Sequence, residues 1–348
     1  MRARCKLTYH SARFYMHSPN ILITGGSGCI GAETAKWLLR NTGARVIICS
    51  RSINPARIER VFHDVDRSRI KAIIVDVCQQ QQLEAILTSE QITHVAHLAA
   101  LQTPACNADR DLGLQVNLAG TQNLIEAIKA TGQPIKRFVF ASSIAVYGPR
   151  AAYPAGQVPM LAPPQPVNVY GVWKLASEQI LRIFLHDTGI PTVCLRPGVL
   201  FGPGRDIGLT SSPTTAMKCV ALDIPYEITF RTQQDYLYAP DAGAAFGQTL
   251  IEPFDGYGVF TMPHHTVDSE RIVASLRQAA SALNIASQFK ISVGSGDAPF
   301  ISELDDLPFR QAFPNAPNTP LDTAVHDSLL VFTQQAQRGW LTASDIPR

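Results

Sequence analysis

Tyr170 and Lys174 stand four residues apart in a helical pattern, so the two side chains share one helix face. A free phenol titrates near ~10, too high for efficient proton exchange at neutral pH. A cation beside it favours the phenolate and lowers that value. Ser143 lies upstream at the end of a predicted strand, where a hydroxyl can hold a reacting oxygen. Further upstream, Thr24-Gly25-Gly26-Ser27-Gly28-Cys29-Ile30-Gly31 joins a predicted strand to a predicted helix. Glycines at 25, 28 and 31 let backbone approach a pyrophosphate, and the helix N-terminus adds free N–H groups and partial positive charge. A phosphate cradle, a strand-end hydroxyl and a tunable phenol in that order describe proton and hydride exchange at a carbon bearing oxygen. Each motif alone is weak: an isolated Tyr-x-x-x-Lys is usually a solvated pair, and a glycine triplet is usually a plain turn. Their order carries the reading.

The elements that must position these residues alternate. Apolar runs predict strands over 20–24, 45–49, 72–75, 94–98, 137–141 and 192–195. Helical patterns fill 31–40, 80–88, 112–129 and 170–186 between them. Strands apolar throughout, each followed by a helix, predict an α/β fold: a Rossmann-type doubly wound parallel sheet with its ligand at the carboxyl ends of the strands. After Arg196 the texture changes, with Gly, Pro and hydroxyl residues crowding 197–213. Ser212-Pro213 predicts a capped helix start, 268–283 a further helix, and Thr319-Pro320-Leu321-Asp322 a capping-box start for a last one. The expected division is an N-terminal extension over 1–19, disordered; a dinucleotide-binding domain over 20–196 with 235–262 returning to it; and a smaller C-terminal substrate-binding lobe from 197–234 and 263–348.

The second predicted strand ends Ile48-Cys49-Ser50-Arg51. A carboxylate that binds a ribose 2′-hydroxyl is expected about 20 residues after the cradle. Ser50 stands there instead, with Arg51 next, and a hydroxyl plus a guanidinium suits a 2′-phosphate. NADP is therefore expected ahead of NAD. The formal charge of +2 gives no reason to expect nucleic acid or a membrane surface as a partner. No apolar run approaches the ~20 residues that span a bilayer. Seven cysteines without metal-ligand spacing point to reduced thiols in a cytoplasmic setting and to no metal site. The first 19 residues carry Arg2, Arg4, Lys6 and Arg13 and no acid, which fits an upstream start or a targeting segment.

These motifs resemble the extended short-chain dehydrogenase/reductases, the NAD-dependent epimerase/dehydratase family, over about 20–339. The resemblance rests on TGGSGCIG at Thr24–Gly31, VDV at Val75–Val77, HLAA at His97–Ala100, VNLAGTQNL at Val116–Leu124, SSIAVYG at Ser142–Gly148, YGVWK at Tyr170–Lys174, RPGVLFGPG at Arg196–Gly204 and DYLYAPDAGAA at Asp235–Ala245. It implies Ser143, Tyr170 and Lys174 as catalytic residues, with Asn117 as the helix-bending asparagine beside them. The implied cofactor contacts are Gly25, Gly28, Cys29, Ile30, Gly31, Ser50, Arg51, Asp76, Val77, Leu98, Ala99, Ala100, Asn117, Tyr170, Lys174, Pro197 and Val199. It also implies a homodimer through helices 112–129 and 170–186.

Departures from the family pattern narrow the function. Pro197-Gly198 stands where nucleotide-sugar epimerases carry an asparagine, Gln234 where they carry an arginine, and Ile144-Ala145 where dehydratases need an acidic pair. The leading expectation is an NAD(P)-dependent dehydrogenase or reductase. It would act at a secondary alcohol or ketone of a small, polar, sugar-like substrate. An epimerase with tightly bound NAD and a non-catalytic cofactor-binding protein are the alternatives. Gln102, Thr103, Arg205, Thr210, Ser211, Ser212 and Arg231 are candidates for the substrate pocket.

Overall fold

A computed structural model describes residues 18–208, 210–285, 289–298 and 300–347; most of the expected N-terminal extension, residues 1–17, lies outside them. Among the described residues, twelve strands run in chain order: β1 (Asn20–Thr24), β2 (Arg45–Ser50), β3 (Ile70–Ile74), β4 (His94–His97), β5 (Arg137–Ala141), β6 (Thr192–Arg196), β7 (Val199–Phe201), β8 (Tyr226–Phe230), β9 (Gln234–Tyr238), β10 (Tyr257–Thr261), β11 (His265–Val267) and β12 (Ile291–Gly296). Seven of them form one sheet in the order β10-β6-β5-β4-β1-β2-β3, parallel throughout. This is the doubly wound α/β arrangement that the alternating pattern predicts. The order reverses between β1 and β4, so the two strand ends diverge there and leave a crevice.

Helices cover both faces of the sheet. Cys29–Asn41 and Ala239–Ile251 pack together on one side, where Leu38, Phe246 and Leu250 join the apolar side chains of β1, β2 and β5. Gln80–Ser89, Gly120–Thr131 and Val169–Thr188 cover the other, with Leu83, Leu124, Leu181 and Phe184 against β4, β5 and β6. A further buried cluster joins helices Ser212–Ala221, Ser269–Ala282 and Leu321–Gln337 to β8 and β12. Among the described residues, no helix is long and apolar enough to cross a membrane.

Three local expectations are corrected. The single helix expected over 112–129 is two α-helices, Arg110–Leu114 and Gly120–Thr131, joined by a π-helical turn at Gln115–Ala119. Thr319 does not cap the last helix. Its N–H and hydroxyl both donate to the Asp241 carboxylate, at 2.7 and 2.8 Å, while Asp322 pairs with Arg271 and Ser275. Ser212 lies inside its helix rather than capping it, and its hydroxyl meets Tyr226 Oη at 3.0 Å. In the last two cases a tertiary partner outbids the local cap.

Candidate active site

A cavity of about 460 Å³ opens at the carboxyl ends of β1, β2, β4 and β5, in the crevice where the strand order reverses. Its wall brings together Gly25, Gly28, Cys29, Ile30, Gly31, Ser50, Arg51, Val77, Leu98, Ala99, Ala100, Ser143, Tyr170, Lys174, Pro197 and Val199. Two of the expected residues are absent from that wall. Asp76 accepts from the Cys78 N–H at 2.9 Å and closes the turn after β3. Asn117 is buried behind the cavity: its Oδ1 accepts from Leu101 N at 2.7 Å, and its Nδ2 donates to Leu101 O at 2.9 Å. It thus pins the segment after β4 rather than facing a ligand.

The cradle is sterically tight. Gly25 has φ +67°, and a Cβ on it would come within 2.8 Å of Ala99 N. That position needs glycine for both conformation and space. Behind the cradle, Thr24 Oγ1 accepts from the N–H groups of Leu98 and Ala99, at 3.1 Å each, so its own proton goes to His97 Nδ1 at 2.7 Å. His97 Nε2 then carries the ring proton and donates to Thr121 Oγ1, which donates to Asn117 O. Burial pushes the His97 pKa down to about 3, so the ring is neutral and the chain of bonds runs in one direction. This network locks the ends of β1 and β4 to the helix behind them.

Two adjacent serines have different partners. Ser142 donates to Glu178, deep in the sheet-facing side of the Val169–Thr188 helix. Ser143 accepts from Ala145 N at 3.1 Å and shares the cavity wall with the Tyr170 phenol, whose pKa it pulls down. Asn168 caps the helix that carries Tyr170 and Lys174, accepting from Gly171 N at 2.9 Å.

Lys174 is 1 % exposed, and its Nζ donates to Ala141 O at 2.6 Å beneath the Phe140 ring. Burial raises the Tyr170 pKa above its ordinary value, while Ser143 and the Arg205 charge pull it back. The Arg205 charge acts on the phenol, and Lys174 Nζ lies 5.7 Å from the centre of the Tyr170 ring while it donates to the Ala141 carbonyl. Arg205 lines the cavity with Gln102, Thr103 and Thr210. Ser211 donates to Gly208 O, and Arg231 pairs with Glu270 at 3.1 Å; both lie off the wall. Phe300 also lines the cavity, and no sequence signal marked it.

Burial lowers Lys174 from 10.5 to about 8. The folded chain then binds fewer protons than the unfolded one between those two values, so stability rises with pH across that window. Wild type is expected to gain stability relative to Lys174→Met between pH 8 and pH 10.5. Urea unfolding of both proteins at the two ends of that range checks it, and equal differences at both ends would refute the burial argument.

Comparison with known proteins agrees with this architecture. The model of the NAD dependent epimerase/dehydratase family matches residues 21–257. A dTDP-glucose 4,6-dehydratase of Neisseria meningitidis is 29% identical over 195 residues, covering 53% of this chain and 54% of its own length. A D-erythronate dehydrogenase of Cupriavidus necator is 31% identical over 198 residues, covering 51% of this chain and 56% of its own. The chain thus spans about half the length of these curated relatives. The solved UDP-glucose 4-epimerase of Thermus thermophilus, in complex with NAD, superposes with a TM-score of 0.75 at 23% identity, covering 90% of this chain and 98% of that one. With its glycine cradle, crevice and Tyr-x-x-x-Lys helix in one cavity, and a family match across more than half its length, the chain belongs to the NAD dependent epimerase/dehydratase family.

Proposed function

We propose that this protein is an NAD(P)-dependent oxidoreductase that exchanges a hydride at a secondary alcohol or ketone carbon of a small polar substrate. The observation that carries the reading is the Tyr170 phenol on the same cavity wall as Ser143 and the Gly25–Gly31 cradle. The tight cradle at Gly25 and the glycine at position 31 suit a dinucleotide pyrophosphate, held also by the free N–H groups that open the Cys29–Asn41 helix. Val77 and Leu98–Ala100 would line the adenine side, and Pro197 and Val199 the ring side. The bound dinucleotide would supply the two-electron hydride acceptor. Tyr170 takes the proton of the substrate hydroxyl, and Ser143 holds that oxygen. Lys174 fixes the end of β5 through Ala141 O and keeps a positive charge under the site.

NADP is the preferred cofactor in this reading. Arg51 is exposed on the cavity rim and makes no hydrogen bond or ion pair among the described residues, and Ser50 Oγ lies 2.8 Å from Ser27 Oγ. No carboxylate ends β2. Replacing Arg51 by Ala is expected to raise the Kd for NADPH about 10- to 100-fold, the range for a lost charge-assisted contact, and to leave NADH unchanged. Fluorescence titration with both dinucleotides tests it; equal affinities in the wild type would reject NADP preference.

A second reading is an epimerase with tightly held NAD, favoured by the likeness to the NAD-bound epimerase structure. The same Tyr170, Ser143 and Lys174 would serve, with the hydride returned to the same carbon. Absorbance of reduced nicotinamide during turnover separates the two: net change supports the dehydrogenase, and none the epimerase. A second copy of this chain is the expected partner. Leu114, Val172 and Ile183 are 43%, 47% and 58% exposed on the two helices expected to pair. Sedimentation at the mass of one chain would reject the dimer.

A further inference from the structure

Arg205 is a guanidinium without a counter-charge on the wall of the active-site cavity. Its Nη2 donates to Thr210 Oγ1 at 3.2 Å, whereas its Nε is buried and has no partner. The carboxylate next to it in sequence is already engaged: Asp206 pairs with Lys218 at 2.8 Å and with Arg57 at 3.2 Å. No acid is ion-paired with Arg205 among the described residues. A half-buried cation left in this state is costly unless a ligand neutralises it. Burial does push its pKa below the ordinary arginine value.

The position of the group narrows the ligand. Arg205 lies close enough to Tyr170 for its charge to favour the phenolate. Gln102 also faces it: a Cβ on Gly208 would come within 2.4 Å of Gln102 Oε1 and 2.7 Å of an Arg205 nitrogen, so both side chains converge there. A planar guanidinium matches a carboxylate in two-pronged fashion. We infer that Arg205, with Thr210 and Gln102 beside it, binds the carboxylate of a small hydroxy acid whose neighbouring hydroxyl faces Tyr170 and Ser143. This rests on the dehydrogenase reading above and names its substrate class. A guanidinium in this cavity could also meet the pyrophosphate of the cofactor, and the test separates the two anions.

Wild-type enzyme with NADP is assayed on pairs that differ only in the carboxylate: glycerate against glycerol, threonate against threitol, gluconate against glucitol. The acids are expected to exceed their polyols in kcat/KM by about 100-fold, the upper range for one charge-assisted contact. Arg205→Gln should raise KM for the best acid by about 30-fold, with Arg205→Lys in between, while the Kd for NADPH stays within about twofold of wild type. Equal rates on acids and polyols overturn the inference. So does a loss of NADPH affinity in Arg205→Gln as large as the rise in KM, which assigns the guanidinium to the cofactor. If no compound is oxidised, the dehydrogenase reading fails on its own. The anion site is then read by malonate: protection of wild type but not Arg205→Gln against heating upholds it, and equal protection overturns it.

Discussion

Tyr170→Phe is expected to lower kcat about a thousandfold, within the range for loss of a positioned general acid–base. The Kd for the dinucleotide should stay within about twofold, since the ring remains and only the oxygen is lost. The size of the effect follows from the surroundings of the phenol. Burial raises its pKa, so the neutral form is favoured until Ser143 and Arg205 act on it. Among the described residues, no other phenol or imidazole lines the cavity to take over the proton. Ser143→Ala should cost less, about 10- to 100-fold, and should move the rising limb of the pH–rate profile upward, because the hydroxyl that pulls the phenol pKa down is gone. Single-turnover rates across pH for the three proteins decide the matter. Residual activity of Tyr170→Phe within about tenfold of wild type would remove the tyrosine from the mechanism.

The parts of this molecule that depend on local pattern could be read from the chain. β1 and β5 match their expected bounds, and β2, β3, β4 and β6 lie within a residue or two of theirs; all but the edge strand β3 are buried parallel strands, which read as continuous apolar runs. The glycine cradle, Ser143, Tyr170 and Lys174 converge because the strand order forces their strand ends together. What was hidden depends on partners far away in sequence. The Ala239–Ile251 helix was not expected: Pro240, Gly243 and Gly247 weaken a helical signal, yet a Cβ on Gly247 would lie 2.2 Å from the Trp37 ring. Those glycines serve the close packing of two helices, which no local pattern reveals. The anchor of Lys174 was hidden for a similar reason. Spacing puts it on the face of Tyr170, but the Ala141 carbonyl that captures its charge is 33 residues away. Arg205 belongs to no motif, and its place on the cavity wall, with its charge acting on the phenol, comes from the fold.

The largest loss of stability is expected from breaking the Glu178–Arg196 pair. Both residues are buried, and the contact is two-pronged: Nε to Oε1 at 2.8 Å and Nη2 to Oε2 at 2.7 Å. Arg196 Nη1 also donates to Tyr147 Oη at 2.7 Å, and Tyr257 Oη donates to Glu178 O at 2.6 Å. Every charged atom of the pair is thus satisfied inside the protein. Removing one partner leaves a buried charge that neither water nor another acid can reach, at a cost of about 3–5 kcal/mol. Glu178→Met should show that loss in urea unfolding and should strand the Ser142 hydroxyl as well. Arg196→Met should lose a similar amount. The double variant should lose clearly less than the sum of the two, since an apolar pair of similar volume avoids the unpaired charge. The consequence reaches the site by a short path. Ser142 precedes Ser143 and Arg196 precedes Pro197, so the pair braces the two strand ends that hold the reacting oxygen and the ring side of the cavity. The single variants should therefore raise the Kd for the dinucleotide even at temperatures where they remain folded. If Glu178→Met changes unfolding free energy by less than about 1 kcal/mol, the pair is no more than a surface-strength contact, and the bracing argument falls with it.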